Sequence, residues 1–334
     1  MVAGLRPVRV AGLGTYVPPR LLTNADLEKL VETTDEWIRQ RTGIVERHVV
    51  EKGQGTADLA EHAARDAIRE AGVGPLDIGF IVVGTTTPDT VFPSTACTLQ
   101  AKIGASNAWG FDLGAACSGF TYSLSVGYLM VATGRVEHAL VVGGDVMSSI
   151  IDYTDRATCV LFGDGAGAMV LSAAAAGEPA IIDFMNITDG TGGPALMMPA
   201  GGSRMPASHE TVDQRLHFVK QDGATVFKFA VRWTEEISRR ILERNRVTAA
   251  DVDLFVSHQA NRRIIDAAAD RLGMTDRQVI INLERYGNTT AGTIPLALAD
   301  ARKQGRLKKG DLVLLASVGA GFTVGSVLLR WGLD

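Results

Sequence analysis

Cysteine is scarce in this chain of 334 residues: Cys97, Cys117 and Cys159 are the whole complement. An odd, low count builds no disulfide framework, so a reducing compartment, the cytoplasm, is the expectation. Charge of one sign is also missing. Lys and Arg number 33 against 37 Asp and Glu, a formal net charge of -4 with no long basic run. That argues against nucleic acid as a main partner. The first ten residues carry Arg6 and Arg9 but no apolar core of signal-peptide length. A zinc-protease His pair, a CxxC and a P-loop lysine are all absent, so no metal and no bound cofactor are expected. Gly12-Leu-Gly-Thr-Tyr-Val and Gly319-Ala-Gly-Phe-Thr-Val each lack the third glycine of a dinucleotide fingerprint. Gly163-Asp-Gly-Ala-Gly reads as close backbone packing rather than a phosphate cradle.

Apolar residues are plentiful, at 46%, enough for a large core. Residues 113–134 and 312–329 hold no charge and reach the length that raises the membrane question. The first reads as a helix apolar on all sides, buried inside a large protein. The second reads as two buried strands joined at glycines. No membrane span is expected, because flanking anchors and other spans are missing.

A faint duplication runs through the chain. Asp66-Ala-Ile-Arg-Glu-Ala-Gly-Val and Leu76-Asp-Ile-Gly-Phe-Ile-Val-Val match Arg240-Ile-Leu-Glu-Arg-Asn-Arg-Val and Ala250-Asp-Val-Asp-Leu-Phe-Val-Ser, offset by 174 positions (Asp66 to Arg240, Asp77 to Asp251). Cys117 and Asn288 each open a helical stretch, offset by 171 positions, that closes at Gly134 and Gly305 and leads to a strand. Two similar α/β halves follow, residues 1–175 and 176–334, with the join in the Ala-rich stretch 172–179. Residues 58–70 and 235–244 have helical patterning, and Phe80-Ile-Val-Val and Leu312-Val-Leu-Leu suit strands buried on both faces. Two sheets sandwiching two central helices would cover the uncharged helices on every side. Residues 189–222 read as an excursion from the second half.

Cys117 lies in Phe111-Asp-Leu-Gly-Ala-Ala-Cys-Ser-Gly-Phe: a strand, a turn of small residues, then an apolar helix. A thiol at a helix start is expected to favour thiolate and to form an acyl-enzyme. The other reading is a small buried hydrophobe, the commonest fate of free cysteine. Cys97 and Cys159 read as packing residues, Cys159 within a strand-like run. His258 ends the strand Leu254-Phe-Val-Ser, where α/β folds put their sites. The other five histidines look like surface residues. Asn288 lies in Arg285-Tyr-Gly-Asn-Thr-Thr-Ala-Gly, and the repeat points it to the same centre as Cys117. The turn Val318-Gly-Ala-Gly-Phe offers a backbone N–H, for which Ala320 is the choice, alongside that of Cys117.

With these residues assembled, the chain resembles β-ketoacyl-acyl-carrier-protein synthase III of the thiolase superfamily, nearly end to end. The motifs are Thr34-Asp-Glu-Trp-Ile-Arg-Gln-Arg-Thr-Gly-Ile, Ala115-Ala-Cys-Ser-Gly-Phe, Phe162-Gly-Asp-Gly-Ala-Gly-Ala, His258-Gln-Ala-Asn and Tyr286-Gly-Asn-Thr. The resemblance implies a five-layer αβαβα thiolase-like fold and a homodimer. It implies that an acyl-CoA such as acetyl-CoA acylates Cys117, and that malonyl-acyl-carrier-protein then decarboxylates and condenses, initiating fatty acid synthesis. His258 Nε2, protonated or in its donor tautomer, and the Asn288 amide would steady the enolate left by loss of CO2. Carried over by motif, Trp37 and Arg41 flank the CoA adenine and Arg156 touches the nucleotide end. Phe227 and Asn261 line the pantetheine tunnel. Phe92 closes the primer pocket from the partner subunit, and Val318 borders that pocket. Arg262 and Arg263, beside Lys228, Arg232 and Arg271, form a basic rim for the acidic carrier protein. Ala224, Val318 and Val324 depart from the residues frequent at their positions, which leaves primer size and shape open. Three rivals stand beside this reading: a condensing enzyme priming a polyketide or alkylquinolone-type pathway, a cysteine thioesterase, and a non-catalytic partner that kept the fold.

Overall fold

The computed structural model describes residues 4–334. Nine longer strands make two sheets. The first holds β1 (Val8–Tyr16), β2 (Ile78–Gly84), β3 (Trp109–Leu113), β4 (His138–Asp145) and β5 (Gly165–Ala173), in the order β1-β5-β4-β2-β3. The second holds β6 (Ile181–Thr188), β7 (Leu254–Ser257), β8 (Leu312–Gly319) and β9 (Thr323–Arg330), in the order β7-β8-β9-β6. Val279 bridges Phe255 in parallel and takes the place in the second sheet that β3 holds in the first. The change of sheet falls between Ala173 and Ile181.

Alternation along the strands builds the layers. Phe80 and Val82 of β2 face inward, with Val313 and Leu315 of β8, onto one central core. The longer helices are α1 (Asp35–Thr42), α2 (Thr56–Ala71), α3 (Thr95–Ile103), α4 (Gly119–Ala132), α5 (Gly223–Arg244), α6 (Arg262–Leu272) and α7 (Thr293–Lys303), and Ile81 and Val83 face outward onto α2 and α3. Leu312 and Leu314 face α5 and α6. The uncharged helix α4 and helix α7, whose charges Asp300, Arg302 and Lys303 are confined to its C-terminal end, lie between the sheets, where Phe120, Leu124, Ile294 and Leu298 join the central core. The result is the five-layer αβαβα arrangement of a thiolase-like fold. Among the described residues no helix is long and apolar enough to cross a membrane.

The duplication is sharper in space than in sequence. Single 3-10 turns at Ala116–Ser118 and Thr290–Gly292 open α4 and α7, and both turns start on a residue with positive φ, Ala116 at 47° and Thr290 at 49°. That offset is 174, and β4 and β8 keep it, starting at His138 and Leu312. The offset of 171 between Cys117 and Asn288 is therefore not the structural correspondence: the counterpart of Cys117 is Ala291. Helix α7 has 11 residues against 14 in α4, which is why the glycines after the two helices close at 171. Two local expectations also change. Cys159 ends a short helix, Arg156–Cys159, because the Asp155 carboxylate accepts from the Ala157 N–H and starts a turn there. Cys97 is exposed on α3 rather than packed.

The glycines of the first strand have a packing role. A Cβ on Gly14 would lie 2.1 Å from the Ala63 carbonyl oxygen, so α2 rests directly on the backbone of β1. That contact accounts for the incomplete dinucleotide-like pattern.

Candidate active site

Cys117, His258 and Asn288, which come from three separate segments, line one cavity of about 110 Å³. The Cys117 turn is held by the second half: the Thr323 hydroxyl donates to the Ala115 carbonyl at 2.7 Å, and the Ser118 hydroxyl donates to the Thr323 carbonyl at 3.1 Å. Gly319 permits that approach, since a Cβ there would sit 2.8 Å from the Cys117 nitrogen. Neither the Cys117 nor the Ala320 N–H has a hydrogen-bond partner among the described residues.

The thiol is not primed by its helix. Burial pushes the Cys117 pKa up to about 12, and the buried Asp145 carboxylate adds to the rise; the residue's own N–H opposes it only weakly. A one-turn 3-10 start supplies too little dipole to offset that desolvation. The resting group is a thiol, contrary to the expectation from its helix-start position.

His258 is also neutral. Burial alone pulls its pKa down to about 3, and no carboxylate touches the ring. Its N–H of the backbone donates to the Ala316 carbonyl at 2.8 Å, fixing it at the end of β7. Its Nδ1 lies 2.7 Å from the Thr293 Oγ1, and the Thr293 hydroxyl donates to the Thr290 carbonyl at 3.0 Å. Asn288 is held by its backbone, whose N–H donates to Leu161 at 2.8 Å and whose carbonyl accepts from Gly163 at 3.1 Å. Its Oδ1 accepts from the Thr290 N–H at 2.9 Å, which turns Nδ2 into the cavity.

Asp145 escaped notice in the sequence. Fully buried at the end of β4, it accepts from the Thr85 hydroxyl at 2.9 Å and the Thr86 N–H at 2.7 Å on one oxygen, and from the Thr290 hydroxyl on the other. An acid closing the apolar run Ala139-Leu-Val-Val-Gly-Gly was the available signal. Phe322 was missed too. It lines the cavity and stacks on Phe229 with centroids 3.9 Å apart.

The remaining predicted residues divide by place. Phe227, Asn261 and Val318 border the cavity with Cys117. The Asn261 Nδ2 donates to the Arg41 carbonyl at 3.1 Å, and Arg263 lies over the Phe227 ring at 5.3 Å. The Arg156 guanidinium stacks 5.0 Å from the Trp37 ring centre, and the Arg41 side chain is exposed beside them on α1. Of the basic rim, Arg262 pairs with Asp266 at 2.8 Å and Arg271 with Glu235 at 3.8 Å. Arg263, Lys228 and Arg232 have no ion pair among the described residues. A second, apolar cavity of about 130 Å³ opens on the other side of Cys117, lined by Met147, Ile150, Phe162, Leu196 and Met198. Val318 does not border it. Phe92 lies outside both cavities, 84% exposed. Ala224 is exposed at the start of α5, and Val324 is buried in the outer core.

Two family models match the chain: 3-oxoacyl-[acyl-carrier-protein] synthase III over residues 111–190 and the C-terminal part of that family over residues 242–331. A β-ketoacyl-[acyl-carrier-protein] synthase III from Solibacter usitatus is 58% identical over 325 residues, 97% of this chain and 98% of the relative. A solved synthase III from Thermus thermophilus superposes with a TM-score of 0.90 at 42% identity, covering 98% of this chain and 100% of that one. The priming β-ketosynthase of the R1128 polyketide pathway superposes with a TM-score of 0.91 at 35% identity, over 100% and 99% of the two chains.

Proposed function

The chain belongs to the β-ketoacyl-[acyl-carrier-protein] synthase III family, and from that premise we propose how its site initiates fatty acid synthesis. A short acyl-CoA, acetyl-CoA the first choice, acylates Cys117. Malonyl-acyl-carrier-protein then loses CO2 and condenses, giving 3-oxoacyl-acyl-carrier-protein. The observation that carries this is one buried cavity shared by a thiol, an imidazole with no acidic partner, and a free amide N–H.

In the first half-reaction the thiol proton passes to His258 Nε2 as sulfur attacks the thioester carbonyl. The unpartnered N–H groups of Cys117 and Ala320 are placed to receive the oxyanion. Collapse expels the CoA sulfur, which takes the proton back from His258. The second half-reaction consumes one proton. His258 takes it up as the malonyl carboxylate enters, since an incoming negative charge opposes the desolvation that keeps the ring neutral. The imidazolium Nε2–H and the Asn288 Nδ2 donate to the enolate oxygen while CO2 leaves. The enolate carbon attacks the acyl carbonyl, a C–C bond forms, and the C–S bond to Cys117 breaks. The released thiolate takes the His258 proton.

Substrate contacts follow from place. Trp37, Arg41 and Arg156 form the nucleotide end, and Phe227 and Asn261 the pantetheine channel. The second apolar cavity suits the primer's alkyl chain. Arg263, Lys228 and Arg232 form the carrier-protein rim, reduced from the wider set by the internal pairing of Arg262 and Arg271. The exposed Val91 and Phe92, at 89% and 84%, and the open edge of β3 with Trp109 support a homodimer in which Phe92 serves the partner's primer pocket. Three unpaired cysteines support a cytoplasmic setting.

The test is intact-protein mass after mixing with an acyl-CoA panel, followed by malonyl-acyl-carrier-protein. An acetyl adduct on Cys117 that is consumed as acetoacetyl-carrier-protein forms is expected, and Cys117→Ser should take no adduct. Adducts only from longer acyl-CoAs would move the primer. Adducts that hydrolyse without condensation would point to a thioesterase instead.

A further inference from the structure

We propose that Thr293 is a positioning residue for His258, its hydroxyl fixing the ring so that the neutral imidazole offers Nε2 to Cys117 as a proton acceptor. The proposal rests on the reading of Cys117 as nucleophile and His258 as its proton partner. It starts from a hydroxyl that makes two hydrogen bonds with one proton. The Thr293 Oγ1 lies 3.0 Å from the Thr290 carbonyl oxygen and 2.7 Å from His258 Nδ1. A carbonyl only accepts, so the hydroxyl proton points at Thr290 and a lone pair faces the ring. The ring proton therefore sits on Nδ1, and Nε2 carries the lone pair. The opposite arrangement would hold two oxygens 3.0 Å apart with no proton between them, inside a site where Thr293, Thr290 and His258 are all buried.

The Thr290 carbonyl is itself fixed. Its residue donates from its N–H to Asn288 Oδ1 at 2.9 Å and from its hydroxyl to Asp145. One turn thus orients the amide on one side and the imidazole on the other. Asp145 spends its oxygens on Thr85, Thr86, Thr87, Thr290 and the Ala291 N–H, and does not reach the ring. An uncharged hydroxyl occupies the place that a carboxylate holds in a charged triad. It sets the tautomer without stabilising the imidazolium, so the proton taken from sulfur is readily passed on to the departing CoA sulfur.

Thr293→Val keeps the shape and removes the hydroxyl; Thr293→Ser keeps the hydroxyl. Three readouts are compared with wild type: ring 15N shifts of His258, assigned with His258→Gln; the rate of Cys117 acetylation by acetyl-CoA; and decarboxylation of malonyl-acyl-carrier-protein without primer. In Thr293→Val the ring proton should move to Nε2. Acetylation should then fall on the order of a hundredfold, the usual worth of a placed general base. Decarboxylation, which needs a donor at Nε2, should fall much less. Thr293→Ser should restore both the shifts and the acetylation rate. An unchanged 15N pattern in the valine variant, equal losses in the two half-reactions, or a serine variant as damaged as the valine one would each overturn the proposal. Wild-type protein that takes no acyl group on Cys117 from any acyl-CoA of the panel overturns the underlying reading itself, before any Thr293 variant is needed.

Discussion

Burial sets both reacting side chains to the same resting state, uncharged. Cys117 is pushed up to about 12 and His258 down to about 3, each by desolvation. For His258 this has a stability cost in acid. The unfolded chain binds a proton at this residue near its ordinary value of 6.5, the folded chain only near 3, so the unfolded state holds more protons between the two. The group's contribution is complete above the unfolded value and is lost as pH falls through that window, at up to about 1.4 kcal/mol per pH unit. His258→Gln should flatten the acid limb of urea-unfolding stability; an identical slope in the variant would assign acid sensitivity to other groups. At this scale the sequence was legible where a residue type announces its chemistry. Cys117, His258 and Asn288 stand beside a turn or a strand end, which is local information. Thr293 and Phe322 were not legible, and Asp145 was legible only as an acid closing an apolar run, because their roles depend on partners far along the chain: Asp145 meets Thr290 and Thr293 meets His258, contacts 145 and 35 positions apart. The thiol's ionisation was misjudged for the same reason, since a helix start is visible in sequence and its desolvation is not.

Elements were legible through period and lost where geometry is quantitative. The strands at residues 139–142 and 312–315 and the two central helices between the sheets follow from apolar patterning. The three-residue shortening of α7 does not, and it displaced the match of the two halves. Packing of α2 on β1 gives a direct test. Gly14→Ala would force a Cβ to within 2.1 Å of the Ala63 carbonyl, so strand and helix must separate. A loss of about 2 kcal/mol or more is expected, as for other overpacked cores. Gly190→Ala is the control, since a Cβ there meets nothing within 4 Å and no positive φ is involved. Chemical denaturation of both variants checks the pair, and equal midpoints would mean that the contact is relieved cheaply.

At the scale of the whole molecule, the faces left open carry the remaining predictions. Trp109→Arg on the edge strand β3 places a charge where a second copy would pair, and should raise the monomer fraction in sedimentation velocity. A distribution unchanged from wild type would place the interface elsewhere. Arg263→Glu should raise the apparent KM for carrier protein severalfold, steeply dependent on salt, and leave acetylation by acetyl-CoA alone. An unaltered KM would remove Arg263 from the rim. These surfaces were visible in sequence only by resemblance, because an unpaired arginine and an ion-paired one look alike until the fold supplies or withholds the acid. The depth of Cys117 also bears on how the protein meets oxidants. Peroxide attacks thiolates, and a thiol held protonated inside a cavity presents almost none. Cys97, exposed on α3, is the sulfur that a diffusing oxidant reaches first. The nucleophile is at risk only while substrate is drawing its proton away, so the cost of keeping it un-ionised is also its protection between turnovers.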